Sequence, residues 1–297
     1  MYLVVIDDIW RKDAWTILKG ALLDNNHGCP PNLKYVCDKI LKKCGGSPLA
    51  ILTLSGLLTN KVKASQWEEV LNSLSYAVSK DSDVDTMIRI LSFSYFDLPQ
   101  HLRTCLLYLS VFPEDTVIKR KCLVNRWVAE GFIHPGDGRD KTQIGERYFA
   151  ELISRCLIQP VDILYNGQAR AYRVHDTILD FIISKSLEEN FITIVSDKKR
   201  RPDNKVRRLS IQNVQYVTEL AQRDLSQVRS LTIFGNTLGM PCSLSLSRFT
   251  SLQVLDLKDT ILAASISEDQ EHVTVVDVAQ LVHLKYLDIN GFYRYRS

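Results

Sequence analysis

The chain has 297 residues, 45% of them hydrophobic and 24% charged, enough to bury a sizeable core in two or three domains. A net charge of +3 and a pI near 8.4 are too mild to argue for nucleic acid or an anionic membrane surface. No apolar run approaches the roughly 18 residues of a membrane span, the N-terminus lacks a signal-peptide pattern, and seven scattered cysteines without a CxxC read as reduced thiols of a cytosolic protein.

Tyr2–Ile6 is a continuous apolar run closed by Asp7-Asp8, the pattern of a buried parallel strand that ends in carboxylates. No neighbouring strands are evident, so it is expected to be an orphan without parallel partners in this chain. A short helix is expected over Ala14–Leu23. Leu33–Cys44 is the cleanest helix, with Leu33, Val36, Cys37, Ile40, Leu41 and Cys44 on one face. Asn32 is placed to cap it and Gly45-Gly46 to stop it. Pro48 opens a second, more apolar helix over Leu49–Leu58. Ser65-Gln66-Trp67-Glu68 reads as a capping box for a third. Further helices are expected over Thr86–Phe96, Gln100–Val111, Lys119–Glu130 and Ile144–Arg155. Leu157–Leu164 and Ala169–Val174 flank Asn166-Gly167, a strong hairpin signal. Helices followed by such a ribbon suggest a winged-helix-like unit. At Val174-His175-Asp176 the chain passes from the ribbon into a helix over Thr177–Ser186, with Asp176 suited to the N-cap.

From Val206 a repeat begins. Val206-x-x-Leu209-x-Ile211, Val228-x-x-Leu231-x-Ile233, Leu252-x-x-Leu255-x-Leu257 and Leu284-x-x-Leu287-x-Ile289 share one apolar frame, that of leucine-rich repeats. The steps are about 22, 24 and 32 residues, so Ile261–Ala279 is expected to carry an insertion. Arg207, Arg208, Gln253, Asp256, Lys258 and Lys285 are expected to be exposed on the strand face, where such arrays bind protein partners. The alternative is that the array packs against residues 118–195 and restrains them.

Two stretches suggest chemistry. Asp7-Asp8 after an apolar strand fits a Walker B element, whose first carboxylate holds Mg²⁺ and whose second can orient a water. Its usual partner, the phosphate-cradling GxxxxGK[ST] loop, occurs nowhere in the sequence, so hydrolysis at a useful rate is not expected. His175 beside a helix N-terminus can meet an anion, or simply pack beside a cap. The candidate recognition helix sets Glu146 and Glu151 against Arg147 and Arg155. It lacks the uncompensated cations that a phosphate backbone demands, and no nucleic-acid partner is expected.

Taken together, the motifs resemble the NB-ARC leucine-rich-repeat disease-resistance receptors of plants. Tyr2–Trp10 is similar to their Walker B element, and Trp10 resembles the coiled-coil branch rather than the TIR branch. Cys44-Gly45-Gly46-Ser47-Pro48-Leu49-Ala50 looks like the GLPLA motif, with Ser47 in place of Leu as a tolerable helix cap. Leu91–Phe96 with Cys105–Asp115 resembles the helical ARC segment, and Arg126–Ile133 (RWVAEGFI) is similar to a further hallmark. Val174-His175-Asp176 sits where the family has Met-His-Asp.

The resemblance implies an ADP/ATP switch with Mg²⁺. Pro48 would pack on the adenine side, His175 would contact the ADP β-phosphate, and Asp7 and Asp8 would lie near the metal. It also implies that the chain starts at the Walker B strand and lacks the residues normally found between Gly28 and Cys29. The expected fold is mainly α, an ARC1-like helical domain and a winged-helix ARC2-like domain, followed by an α/β leucine-rich-repeat solenoid. Expected boundaries are 1–28 for the remnant of the nucleotide-binding domain, 29–98, 99–198 and 199–297. The implied role is cytoplasmic immune signalling without enzymatic activity. The repeats would meet a pathogen effector, a guarded host protein or another receptor of the family. A non-catalytic adaptor or decoy is the second reading.

Overall fold

The computed structural model describes residues 33–45, 47–59, 61, 63–75, 83–134, 140–165, 169–196, 206–212, 220, 222–234, 246–257, 278 and 280–289. The expected strand Tyr2–Ile6, the helix Ala14–Leu23 and the carboxylates Asp7 and Asp8 lie outside the described residues. The chain divides into two compact units, residues 1–103 with 147–181 and residues 104–146 with 182–297.

The first described element of the first unit is α1 (Lys34–Lys43), which buries Val36, Cys37, Ile40 and Leu41 on the apolar face that their spacing dictates. Leu33 holds its N-cap position without a side-chain bond, and Asn32 lies outside the described residues. α2 (Pro48–Leu58) is largely apolar and correspondingly buried from Leu49 through Leu58, apart from the half-buried Leu52. Pro48 takes the first helical position, where its missing N–H would have no partner anyway. α3 runs from Ala64 to Ser75. It starts earlier than the Ser65 capping box implies, because Gln66 bends its side chain back to the Lys63 N–H at 3.1 Å. The reciprocal half of a capping box is therefore present, two residues upstream of the expected register.

α4 (Asp83–Asp97) packs on α2. Gly56 of α2 lies so close to the end of a later helix, α7 (Lys141–Ser154), that a Cβ there would meet the Arg155 backbone at 2.4 Å. Only glycine permits that approach. Asp97, ending α4, accepts from Arg155 at 2.8 Å and from Lys61 at 2.9 Å. Burial opposes its charge, but the Lys61 and Arg155 hydrogen bonds and charges outweigh it and hold the carboxyl below the usual carboxylate range. The ribbon is an antiparallel hairpin of β1 (Gln159–Ile163) and β2 (Ala169–Arg173). Its register is symmetric about position 166, so an odd number of residues connects the strands. Phe149 packs edge-on against Tyr172, with centroids 4.7 Å apart.

The second unit holds the latter half of α5 (Gln100–Leu107) and the 3-10 turn Tyr108–Val111, so the expected single helix over Gln100–Val111 tightens in its last turn. It also contains α6 (Arg120–Glu130) and the later part of α8 (Asp176–Glu188). Its sheet is all-parallel, in the order β3 (Thr193–Val195), β4 (Arg208–Ile211), β5 (Ser230–Ile233), β6 (Val254–Asp256) and β7 (Tyr286–Asp288). Leu209, Leu231, Leu255 and Leu287 pair in one row, so the longer last step leaves the register intact. The first three of these leucines are fully buried in a core with Val206, Val228, Phe249 and Leu252. β3 extends the sheet beyond the four repeat frames.

Candidate functional site

The residues implied for nucleotide contact, Pro48 and His175, both belong to the first unit. Ser47, in extended backbone, caps α2 by accepting from the Ala50 N–H at 3.3 Å, which explains why serine is accommodated in this motif. Pro48 is half-buried. At the other stretch the structure moves the cap by one residue. α8 begins at Asp176, and His175 holds the N-cap position, its Nδ1 accepting from the Thr177 N–H at 3.2 Å. The expected N-cap aspartate is instead the first helical residue, where its charge favours the positive end of the helix dipole.

That bond has a chemical consequence. With Nδ1 engaged as an acceptor, Nε2 carries the proton and can donate outward. His175 is exposed, at a helix start that favours an anion. This fits a phosphate contact, and Pro48 offers an apolar surface. The metal-side residues, Asp7 and Asp8, lie outside the described residues. Among the described residues no group of three or more His, Cys, Asp or Glu side chains could hold a metal ion.

The most developed polar site lies in the second unit, on the strand face of the parallel sheet. The residues between the leucines there, Ser210, Thr232 and Asp256, should face solvent in a bare sheet, yet all are buried, as is Ser230. Buried polar groups require partners, and each has one. Ser210 donates to the Val111 carbonyl at 2.7 Å, and the Ser230 hydroxyl lies 3.2 Å from the Tyr108 hydroxyl. Arg126 of α6 donates to Thr232 and to Asp256, each at 2.5 Å, and to the Tyr108 hydroxyl at 3.0 Å. Arg126 is 1% exposed, its guanidinium 5.0 Å from the Phe112 ring centroid and 5.2 Å from that of Tyr108. Burial disfavours its charge, but Tyr108 and Asp256 more than compensate and hold the guanidinium above its ordinary value. Burial likewise pushes the Tyr108 phenol up, against the lowering effect of Arg126.

One turn along α6, Glu130 accepts from Arg208 of β4 at 2.9 Å. A carboxylate in the last turn opposes the helix dipole, so the partner is what makes the position favourable. The Arg208 guanidinium lies between two rings, 4.9 Å from the Phe132 centroid and 4.2 Å from that of Phe191. Gly131 ends α6 at φ +80, and the Phe132 N–H closes the cap on the Trp127 carbonyl at 3.0 Å.

Four residues of the stretch RWVAEGFI are thereby accounted for. Arg126 and Glu130 grip the sheet, Gly131 turns the chain, and Phe132 stacks on Arg208. Three expected exposures are corrected. Asp256 is 7% exposed and Arg208 is partly buried, because both are taken up by α6, and Gln253 is also partly buried; Arg207 and Lys285 are exposed as expected, and Lys258 lies outside the described residues. Spacing missed Arg126 and Glu130 as site residues. Their signal was two charges four apart in the half of the helix that also carries Leu123, Val124 and Trp127. Cys44, Cys105, Cys122 and Cys156 are free cysteines, and no helix among the described residues is long and apolar enough to cross a membrane.

Comparison with known proteins gives these motifs a family. Residues 111–182 match the winged-helix domain of disease resistance proteins. The chain is 43% identical over 84% of its length to Disease resistance protein PIK6-NP of Oryza sativa subsp. japonica, covering 24% of that protein. It is 35% identical over 97% of its length to Disease resistance protein Pik-2 of the same organism, covering 33% of it. Disease resistance protein RPP8 of Arabidopsis thaliana is 28% identical over 97% of the chain, 38% of RPP8 being covered. The chain thus spans between about a quarter and two fifths of the lengths of these relatives. The Pik-2 alignment runs over 345 positions, more than the 297 residues here, so Pik-2 carries residues within the aligned region that this chain lacks. This chain belongs to the plant disease-resistance proteins.

Proposed function

We propose that this chain acts in plant defence as part of a nucleotide-switch receptor whose ADP site is incomplete in these 297 residues. The observation that carries the reading is positional. The winged-helix match leads into a parallel sheet whose four apolar frames pair in register, the order that the receptor family's helical and leucine-rich-repeat domains would have. On this reading residues 29–98 are the ARC1-like domain, 99–198 the winged-helix domain and 199–297 a partial leucine-rich-repeat solenoid.

Pro48 and the Nε2–H of His175 are the groups that would hold the adenine and β-phosphate sides of ADP. Asp7 and Asp8 would face Mg²⁺. When bound, the nucleotide supplies the charge that distinguishes the two states of the switch. The chain contains no GxxxxGK[ST] cradle, and one helix end contributes only about 1 kcal/mol toward an anion. No ATPase activity is proposed. The setting is the cytoplasm and the partners are proteins, an effector, a guarded host protein or a second receptor. Nucleic acid is not among them, since Arg155 of the candidate recognition helix is already held by Asp97 and Glu151. The relatives all carry disease-resistance names, which does not favour the adaptor or decoy reading. Calorimetric titration of the purified chain with ADP and with Mg–ATP tests the proposal. No micromolar binding is expected; micromolar ADP binding abolished by His175→Ala would show a working site and overturn it.

A further inference from the structure

We propose that the repeat sheet carries a binding site for an extended acidic peptide, built on a row of cations aligned just ahead of its strands: Arg207, Arg229 and Lys285. The proposal deepens the reading that the repeats meet protein partners, and the site lies wholly within the second unit.

The row follows from the repeat frame. Arg207, Arg229, Gln253 and Lys285 each stand one position before β4, β5, β6 and β7. The sheet ladder already extends to them. The Arg229 N–H donates to the Arg207 carbonyl at 2.7 Å, that of Gln253 to the Arg229 carbonyl at 2.8 Å, and that of Lys285 to the Gln253 carbonyl at 2.8 Å. Parallel strands lie about 4.8 Å apart, so cations occupy the first, second and fourth places of a line spanning roughly 14 Å. Arg207, Arg229 and Lys285 are exposed, and Gln253, in the third place, is half-buried.

Nothing anionic in the sheet answers this row. Arg208, the neighbour of Arg207, is held by Glu130 at 2.9 Å. The side chains of Arg207 and Arg229, by contrast, make no ion pair with a described residue, and Lys285 donates only to the neutral Gln253 Oε1, at 3.2 Å. The one acid among the described residues leading into β5, β6 and β7 is Asp224, which accepts from the Ser226 N–H at 2.9 Å. Like charges on adjacent strands repel, so the row is unfavourable until an anionic partner meets it.

The spacing selects the partner. An extended peptide laid along the row shows alternate side chains on one side about 6.7 Å apart, so three carboxylates at alternate positions cover about 13 Å. That matches the span of the row, and the two guanidinium forks suit carboxylates. A nucleic-acid strand needs a longer cationic track and stacking rings, and the row contains no aromatic residue.

The test is fluorescence anisotropy of the full chain with a dye-labelled peptide of alternating Glu and Ser, against one of alternating Lys and Ser. The acidic peptide should bind at roughly 50 mM salt and weaken as salt rises, and the basic one should not bind. Arg207→Gln, Arg229→Gln and Lys285→Gln should each weaken binding by about threefold, as expected for exposed pairs. Arg229→Lys should retain most of it. Lys34→Gln, which removes an exposed cation from the first unit, should change nothing. Absence of binding to the acidic peptide would overturn the proposal. So would an equal loss with Lys34→Gln, which would mark an effect of net charge alone, or displacement of the peptide by an oligothymidylate of equal charge at equal concentration. Such a failure would leave the receptor reading standing, because ADP calorimetry tests that separately.

Discussion

Asp256→Ala is the substitution whose consequence follows most directly from the geometry. Asp256 neutralises Arg126, a guanidinium with 1% side-chain exposure, while its own side chain is 11% exposed. Removing the aspartate leaves a buried cation that cannot discharge by losing a proton, still hydrogen-bonded to the Thr232 and Tyr108 hydroxyls but without the opposing charge. Breaking a buried pair from one side costs about 3–5 kcal/mol. Arg126→Met is the milder cut, since the aspartate left behind lies nearer solvent and can take up a proton or water; about 1–3 kcal/mol is expected, the range for an unsatisfied buried group. The double change Arg126→Met with Asp256→Leu removes both charges at similar volume and should fall within about 1 kcal/mol of the parent protein. Urea unfolding, followed by far-UV circular dichroism and by amide exchange within β4–β6, measures all three. A loss below about 1 kcal/mol for Asp256→Ala would refute the claim that this pair is buried and essential to the docked helix.

Gly56→Ala should destabilise by more than about 2 kcal/mol, reversing the gain of roughly 1 kcal/mol that alanine brings to a helix interior, because its Cβ would sit 2.4 Å from the Arg155 backbone; thermal unfolding reads the sign. Ser47→Ala removes the cap on α2 and should cost about 1 kcal/mol, with Ser47→Thr largely retaining stability. Asp97 has a folded value below its unfolded one, so its contribution is present above the ordinary carboxylate range and is lost as pH falls through the depressed value. Asp97→Asn should therefore lower stability near neutral pH by less than about 1 kcal/mol, given its partial exposure, and the difference should vanish in strong acid.

Helix content was legible wherever an apolar stripe repeated at helical spacing. Leu33 to Cys44 shows this best: the residues on the stripe are the residues buried. The parallel pairing of the four repeat frames was legible for the same reason, since one frame recurring in register can bury its leucines only by stacking. Ends were less so. Gln66 rather than Glu68 reaches back to its helix start, and His175 rather than Asp176 holds a cap, because both outcomes turn on one or two residues of register. β3 carried no repeat frame and depends on β4 for its ladder, so Thr193–Val195 gave no local signal of its own. The largest miss was Asp256. Alternation alone places it outward from the leucine core, correctly, but the helix that covers it comes 130 residues earlier in the chain. Periodicity reports which face a side chain takes and says nothing about what that face meets. At the implied nucleotide site, the element and position of Pro48 were legible from the helix-start preference of proline, whereas the tautomer of His175 required the Thr177 bond to be seen.

The central structural claim is that the segment bearing the winged-helix hallmark fills the strand face of the repeat sheet. Hydroxyl-radical footprinting of the unmodified chain tests it directly, since three tyrosines calibrate one another. Tyr108 is fully buried against Ser230 and Arg126, while Tyr35 is 67% exposed and Tyr165 is open to solvent. The account predicts oxidation of Tyr108 as slow as that of fully buried Phe149, with Tyr35 and Tyr165 oxidised readily. Oxidation of Tyr108 at the rate of Tyr35 would contradict it.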